Sequence, residues 1–197
     1  MNKTIKLLMI SDIFVLTGFG LIDPILAIFI NDNITGGSIF TAGIASSIFL
    51  ITKSFVQLPF SRHVDSHDDD DDLKWLLLGT LMVTSVPFFY IFAKNIVVVY
   101  LAQLLQGIGS GLAYPAWLGL WSTHLDKKKE SYEWSLYSTS VGLGTAVSAS
   151  VGAAVAQYAG FKLTFLIVAA MSFFGCTILI YLKRNESPKK ISAAFKQ

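Results

Sequence analysis

The chain has 197 residues, of which 53% are hydrophobic and 14% charged, with a formal net charge of +2. Soluble domains usually carry about a quarter charged residues, so this composition argues against a water-soluble protein. No concentrated basic face indicates a nucleic-acid partner, and the single cysteine, Cys176, excludes a disulfide within the chain. We therefore predict an integral membrane protein whose main partner is the lipid bilayer.

Six apolar segments are long enough to cross a hydrocarbon core about 30 Å thick. The first is too long and too rich in glycine for a signal peptide, and no small-residue cleavage site follows it. We predict an all-α bundle of six transmembrane helices over residues 1–184. A polar cytoplasmic tail over 185–197 is predicted to be disordered or to lie on anionic lipid. The predicted spans are 5–30, 38–60, 73–93, 96–121, 132–159 and 163–182.

The basic residues predict the orientation of the bundle. Twelve of the 15 lysines and arginines fall on the side that holds both termini, whereas Lys94 and Lys162 fall on the other side and Lys53 lies within the second span. By the positive-inside rule, both termini are expected in the cytoplasm and the protein in the plasma membrane.

Three charged residues lie inside the first two spans, where charges usually face a bundle interior or a water-filled cavity. Asp12 and Asp23 are eleven residues apart, so they share one face of the first helix. Asp12 and Lys53 lie at similar depths, about 9 and 10 Å from the cytoplasmic ends of their helices. This predicts an Asp12–Lys53 ion pair or a shared polar site. A pair that only holds the two helices together and a pair with a role in function fit the sequence equally well. Pro24 predicts a bend beside Asp23, which suits a gate, a binding position or an ordinary distorted helix.

The fourth span carries a polar and aromatic face with helical spacings of seven, four, three and four residues. Amide, hydroxyl, phenol and indole groups on one face can bind a substrate by stacking and hydrogen bonding. The alternative is packing with an aromatic belt at the membrane interface, which we favour for the last residue of the face. The residues are Gln103, Ser110, Tyr114, Trp117 and Trp121.

Glycines in the fourth span raise the alternative of a phosphate-binding loop. Gly107, Gly109 and Gly111 do not have the dinucleotide spacing, no strand precedes them, and the P-loop lysine and hydroxyl residue are missing. Small residues also repeat along the fifth span, which favours close helix packing in both spans. They are Ser138, Gly142, Ala146 and Ser150, with Gly144, Ser148 and Gly152 beside them.

The connection after the second span contains five consecutive aspartates, Asp68 to Asp72, near His63, Asp65 and His67. These donors can bind a divalent ion, but nothing fixes their geometry as a calcium loop would. We favour a solvated loop and expect neither a metal nor a cofactor. No nucleophile, base and orienting group recur at a recognisable spacing in the spans, so no enzymatic activity is predicted.

Three stretches carry a resemblance to a known family. "GFGLIDPILAIFI" is similar to the opening helix of major facilitator superfamily transporters, and "AGIASSIFLITKSFVQLPFSRHVD" to their second helix and signature loop. Ser61 stands at the loop's glycine and Asp65 at its aspartate, but the basic cluster that follows in the family is absent. "YLAQLLQGIGSGLAYPAWLGLW" and the span after it resemble helices four and five. Gln103 replaces the fourth-helix arginine associated with proton coupling, and Ala149 replaces the proline of the antiporter motif.

The resemblance implies one half of a twelve-span secondary transporter that works by alternating access, with its substrate between two six-helix halves. Two parallel copies would form a homodimer; a second chain supplying the other half, or a fragment, are the alternatives. A non-transporting membrane subunit or interaction protein is the alternative class. The small-molecule or ion substrate is not predicted. The candidate substrate or coupling residues are Asp12, Asp23, Lys53, Gln103, Ser110, Tyr114 and Trp117.

Overall fold

A computed structural model describes residues 1–66 and 69–194, with side chains described as far as Arg184. Within these residues the regular secondary structure is all helical, apart from one isolated bridge between Thr35 and Asn95. Five helices, α3 to α7, are long and apolar enough to cross a membrane. The elements are α1 (Lys3–Gly20), α2 (Leu26–Asn33), α3 (Ile39–Val64), α4 (Asp69–Phe92), α5 (Ile96–His124), α6 (Glu130–Ala159) and α7 (Phe161–Ala194).

The first predicted span is two helices rather than one. Helix α1 ends at Gly20 and α2 begins at Leu26, and a turn over residues 21–25 contains Pro24. Proline has no N–H to donate to the carbonyl four residues earlier, and its ring clashes with that carbonyl, so the helix breaks instead of bending. One span over 5–30 with a bend at Pro24 was predicted, and the structure has a turn at this proline that separates two helices.

The run of aspartates begins helix α4 instead of forming a solvated loop. Asp69 to Asp72 make its first turn, where carboxylates are favourable because they face the positive end of the helix dipole. Lys74 Nζ lies 3.1 Å from Asp70 Oδ2, one helical turn away. The loop prediction was wrong for these four residues, while His67 and Asp68 lie outside the described residues.

Two other helices extend beyond their predicted apolar limits. Helix α3 runs to Val64, so Ser61 is helical and Asp65 follows at its C-terminal cap. Helix α7 continues to Ala194, through most of the tail that was predicted to be disordered or to lie on lipid. Hydropathy marks the lipid-facing part of a helix, whereas the backbone hydrogen bonds can continue into polar sequence.

Helix α5 packs against both α3 and α4, and glycines form these contacts. A Cβ on Gly79 would lie 2.4 Å from the carbonyl oxygen of Gly109, and a Cβ on Gly107 would lie 2.8 Å from the carbonyl oxygen of Phe49. On Gly111, a Cβ would lie 2.7 Å from the Cβ of Val56. The glycines of the fourth predicted span thus let α5 approach its neighbours at backbone distance, as close packing of membrane helices requires.

Helix α6 packs against α1 through one of its two rows of small residues. A Cβ on Gly152 would lie 2.0 Å from the carbonyl oxygen of Leu21, and one on Gly144 would lie 2.3 Å from Thr17 Cγ2. Gly142 differs from the prediction, because no atom lies within 4 Å of its Cβ position. The row Ser138, Gly142, Ala146 and Ser150 is exposed, since it is turned away from the row that contacts α1.

Polar contacts tie the loops together at both ends of the bundle. At one end the carbonyl of Lys94 accepts from the amide of Thr35 at 3.0 Å. At the other, the amino group of Met1 lies 2.5 Å from Asp126 Oδ2 and 3.5 Å from Glu133 Oε1. The hydrogen bond from this amino group lowers the pKa of the Asp126 carboxyl. Each tie joins segments that are distant in sequence.

The two rows of α6 provide a matched test of helix packing. Gly152→Ala should lower the free energy of unfolding by about 1–3 kcal/mol, because the new methyl group overlaps the backbone of Leu21. Gly142→Ala should change it by less than about 0.5 kcal/mol, because its Cβ enters open space. Unfolding in mixed micelles by titration with SDS measures both. Equal losses in the two variants would contradict the packing assigned to α6.

Candidate functional site

A cavity of about 340 Å³ lies inside the bundle. Its walls come from α1, α3, α4, α5, α6 and α7, together with the turn between α1 and α2. Charged, hydroxyl and aromatic side chains occur among its lining residues. Six of the seven residues predicted from the sequence lie on this wall: Asp12, Asp23, Lys53, Ser110, Tyr114 and Trp117.

The seventh residue, Gln103, lines a second cavity of about 340 Å³ next to the first. The two cavities share Asp23 and Gln106 among their lining residues. Gln103 is only 3% exposed, and its side-chain amide donates to the hydroxyl of Tyr90 at 2.8 Å. Gln103 therefore forms a neutral, hydrogen-bonded contact between α5 and α4, beside a cavity that it shares with Asp23.

Asp12 and Lys53 share the first cavity, but they do not form the predicted ion pair. The hydroxyl of Tyr137, on α6, donates a short hydrogen bond to Asp12 Oδ2. Lys53 Nζ lies 5.0 Å from the ring centroid of Tyr114. The separation follows from the packing, because α1 contacts α6 and α7 whereas α3 contacts α5 and α2. The two charges therefore share one cavity, but each has an aromatic partner on a different helix.

An aromatic cluster connects the two charged side chains. Tyr114 stacks on Trp117 with a centroid distance of 6.5 Å, and Trp117 lies 4.9 Å from both Trp121 and Tyr137. Trp121 is fully buried, so it is a packing residue of this cluster instead of part of an exposed belt. The cluster thus runs from the ring beneath Lys53 to the phenol bound to Asp12.

The family assignment follows from comparison with known proteins. A family model of the Major Facilitator Superfamily matches residues 8–197. The chain belongs to the Major Facilitator Superfamily. Membership of this family and the five long apolar helices identify the chain as an integral membrane protein. The family is one of transporters, so membership points to a transporter instead of an enzyme.

Two relatives illustrate the similarity. Over 119 residues the chain is 24% identical to the proton-coupled antiporter flippase LtaA of Staphylococcus haemolyticus, a match that covers 60% of this chain and 30% of that protein. Over 170 residues it is 25% identical to the multi-drug resistance efflux pump PmrA homolog of Lactococcus lactis, covering 85% of this chain and 41% of the relative. The chain therefore spans less than half the length of these superfamily members.

Sequence reasoning missed two polar residues of the site. Tyr137 carries no charge, so a search for charged residues within spans passes over it, although its spacing of three from Trp134 is a signal of an aromatic helix face. Gln106 lines both cavities and lies three residues after Gln103. Tyr137 is in direct contact with a predicted site residue, Asp12.

The signature-loop residues lie outside both cavities. Ser61 Oγ donates to the carbonyl of Leu58 at 2.8 Å, and the amide of Asp65 donates to the carbonyl of Ser61 at 3.0 Å. Nearby, His63 Nε2 lies 3.3 Å from Asp71 Oδ2, which also accepts from the indole of Trp75. Over the described residues, no group of three or more histidine, cysteine or acidic side chains is placed to hold a metal ion.

The hydrogen bond between Tyr137 and Asp12 predicts a stability difference. Tyr137→Phe should lower the free energy of unfolding by about 1.5–3 kcal/mol, since it removes the donor to a carboxylate inside the bundle. Tyr158→Phe is the control, because Tyr158 is on the same helix and 83% exposed. Titration with SDS in mixed micelles reports both values. A loss of similar size in the control, or none in Tyr137→Phe, would contradict the contact.

Proposed function

We propose that this superfamily member is a half-size secondary transporter of the plasma membrane, in which two six-helix bundles form an alternating-access cavity. The observation that carries the proposal is the charged and aromatic cavity inside a bundle that does not enclose it. Substrate sites in this class of transporter lie near the midplane between two related halves. One chain supplies half of such a site.

We place the open side of the cavity between α3 and α6. Each contributes side chains to the wall, Lys53 from α3 and Tyr137 from α6. In the part of the chain that the structure describes, these two helices are not packed against each other. Both also expose apolar side chains, with Phe55 77% exposed on α3 and Leu143 66% exposed on α6. A second bundle on this face would close the cavity and cover the exposed row of small residues on α6.

A parallel arrangement of two copies requires both termini on one side of the membrane. Helices α1 and α2, with the turn between them, extend over residues 3–33 and are proposed to cross the membrane as one interrupted span. With α3 to α7 this makes six crossings, which is an even number. The distribution of lysine and arginine supports a cytoplasmic location for both ends. A second copy in the same orientation then gives a two-fold homodimer.

The alternative is a membrane subunit that keeps the bundle without a transport cycle, or one half of a transporter completed by a different chain. Gln103, which forms a neutral contact with Tyr90 where the family has an arginine, favours this alternative. The names of the relatives, a flippase and an efflux pump, favour transport. Assembly and accessibility can be tested without knowledge of the substrate.

Crosslinking tests the proposed assembly. In a chain with Cys176→Ala, cysteines introduced together at Ser47 and Ala146, which are exposed on α3 and α6, should link two copies in membranes through a short bismaleimide. A cysteine at Phe173, which is 59% exposed on α7, is the control and should leave monomers. A link to a different protein would identify a split transporter. Monomers from both variants, or dimers from the control, would contradict the homodimer.

Labelling from the two sides of the membrane tests alternating access. In the Cys176→Ala chain, a cysteine at Ser110 on the cavity wall should react with a membrane-impermeant maleimide from either side. A static subunit would expose this position to one side only. A cysteine at Ala102, fully buried on the same helix, is the control and should remain unlabelled. Labelling of Ser110→Cys from a single side in the crosslinked dimer would contradict the transport cycle.

A further inference from the structure

The charged groups of the first cavity leave an excess of negative charge. It contains the carboxylates of Asp12 and Asp23 and the ammonium of Lys53. Asp12 accepts from the neutral hydroxyl of Tyr137, and neither carboxylate forms an ion pair with a described residue. The one ammonium of the cavity is already placed over the ring of Tyr114. Two carboxylates are therefore available to a ligand. The lysine of the cavity is already in contact with an aromatic ring.

The wall also carries five aromatic residues. Phe19, Phe49, Tyr114, Trp117 and Tyr137 all line the cavity. Aromatic faces attract cations through their negative quadrupole, most strongly where water is excluded. One cation of the chain itself, the ammonium of Lys53, already lies against one of these rings, Tyr114.

Trp117 contributes its ring to the wall while its indole nitrogen is buried. It is 5% exposed, lines the cavity, and its Nε1 has no acceptor among the described residues. Buried indole N–H groups usually find a partner, because an unpaired donor costs about 1–3 kcal/mol. The wall thus offers negative charge and ring faces, on a largely apolar surface.

We propose that this cavity binds an organic cation with a bulky aromatic or apolar body. The assignment deepens the transport function proposed above and depends on it only for the movement of the ligand across the membrane. An anion of the same shape would face two carboxylates and would have to draw Lys53 away from Tyr114 to gain one favourable contact. Like charges in a low-dielectric site repel strongly, so the cavity discriminates by sign of charge as well as by size.

Tetraphenylphosphonium and tetraphenylborate test the proposal, since they have nearly the same shape and opposite charges. Neither forms hydrogen bonds, so their comparison isolates the effect of charge. Equilibrium dialysis with the purified full chain in lipid nanodiscs, minus empty nanodiscs, measures specific binding of each ion. We expect the cation to bind at least tenfold more tightly than the anion. Equal affinities, tighter binding of the anion, or no specific binding of the cation would overturn the assignment.

Variants locate the binding in this cavity. Asp12→Asn should weaken binding of tetraphenylphosphonium about tenfold or more, and Asp12→Glu, which retains the charge, should retain most of it. Asp32→Asn, which removes an exposed carboxylate outside the cavity, should leave binding unchanged. Size-exclusion elution confirms that each variant is folded. Unaltered binding in folded Asp12→Asn, or an equal loss in Asp32→Asn, would overturn the proposal.

Failure of this assignment is distinguishable from failure of the transport function. The dialysis measures binding alone and requires no movement across the membrane. A chain that binds the cation but labels at Ser110→Cys from one side only has the proposed ligand class without a transport cycle. A chain that labels from both sides and ignores the sign of charge is a transporter of a different substrate class.

Discussion

The backbone contact between α4 and α5 at Gly79 and Gly109 is the constraint on which the rest of the bundle depends. A methyl group on either glycine would overlap the carbonyl of the other, so the two helices can approach this closely only with hydrogen at both positions. Helix α5 also contacts α3 through Gly107 and Gly111, and it supplies Ser110, Tyr114 and Trp117 to the cavity wall. The cavity is therefore positioned by residues that have no side chain.

Close helix packing in lipid explains why helices rich in glycine are stable in this protein. In water, a glycine within a helix costs about 1 kcal/mol relative to alanine, because it has more backbone freedom to lose. In a bilayer, the backbone must satisfy its hydrogen bonds internally whatever the residue, so helix propensity loses much of its influence. Shape then dominates, and glycine is the residue that permits the closest approach of two helices.

Much of the fold was predictable from hydropathy, because lipid demands long apolar helices. Helix ends were less predictable: the acidic turn of α4 and the polar extension of α7 depend on backbone hydrogen bonds that hydropathy does not register. Charge located Asp12 and Lys53 in the lining of one cavity, because charges avoid lipid. The positions of the charges could not predict their partners, because the neutral phenol of Tyr137, from a distant part of the sequence, binds Asp12 in place of Lys53. Small-residue spacing predicted packing on α6, but two rows fit the pattern, and only contact with α1 distinguishes them.

The break between α1 and α2 gives the two acids of the first span different mechanical surroundings. Asp12 is held within a continuous helix by a contact with α6. Asp23 sits in a five-residue turn, on the boundary of both cavities. The same turn lies directly against the backbone of α6 at Gly152. A rotation of α6 would consequently move the two carboxylates through separate contacts. It would move Asp12 through the hydroxyl of Tyr137, and Asp23 through the contact between Gly152 and the carbonyl of Leu21 in the turn.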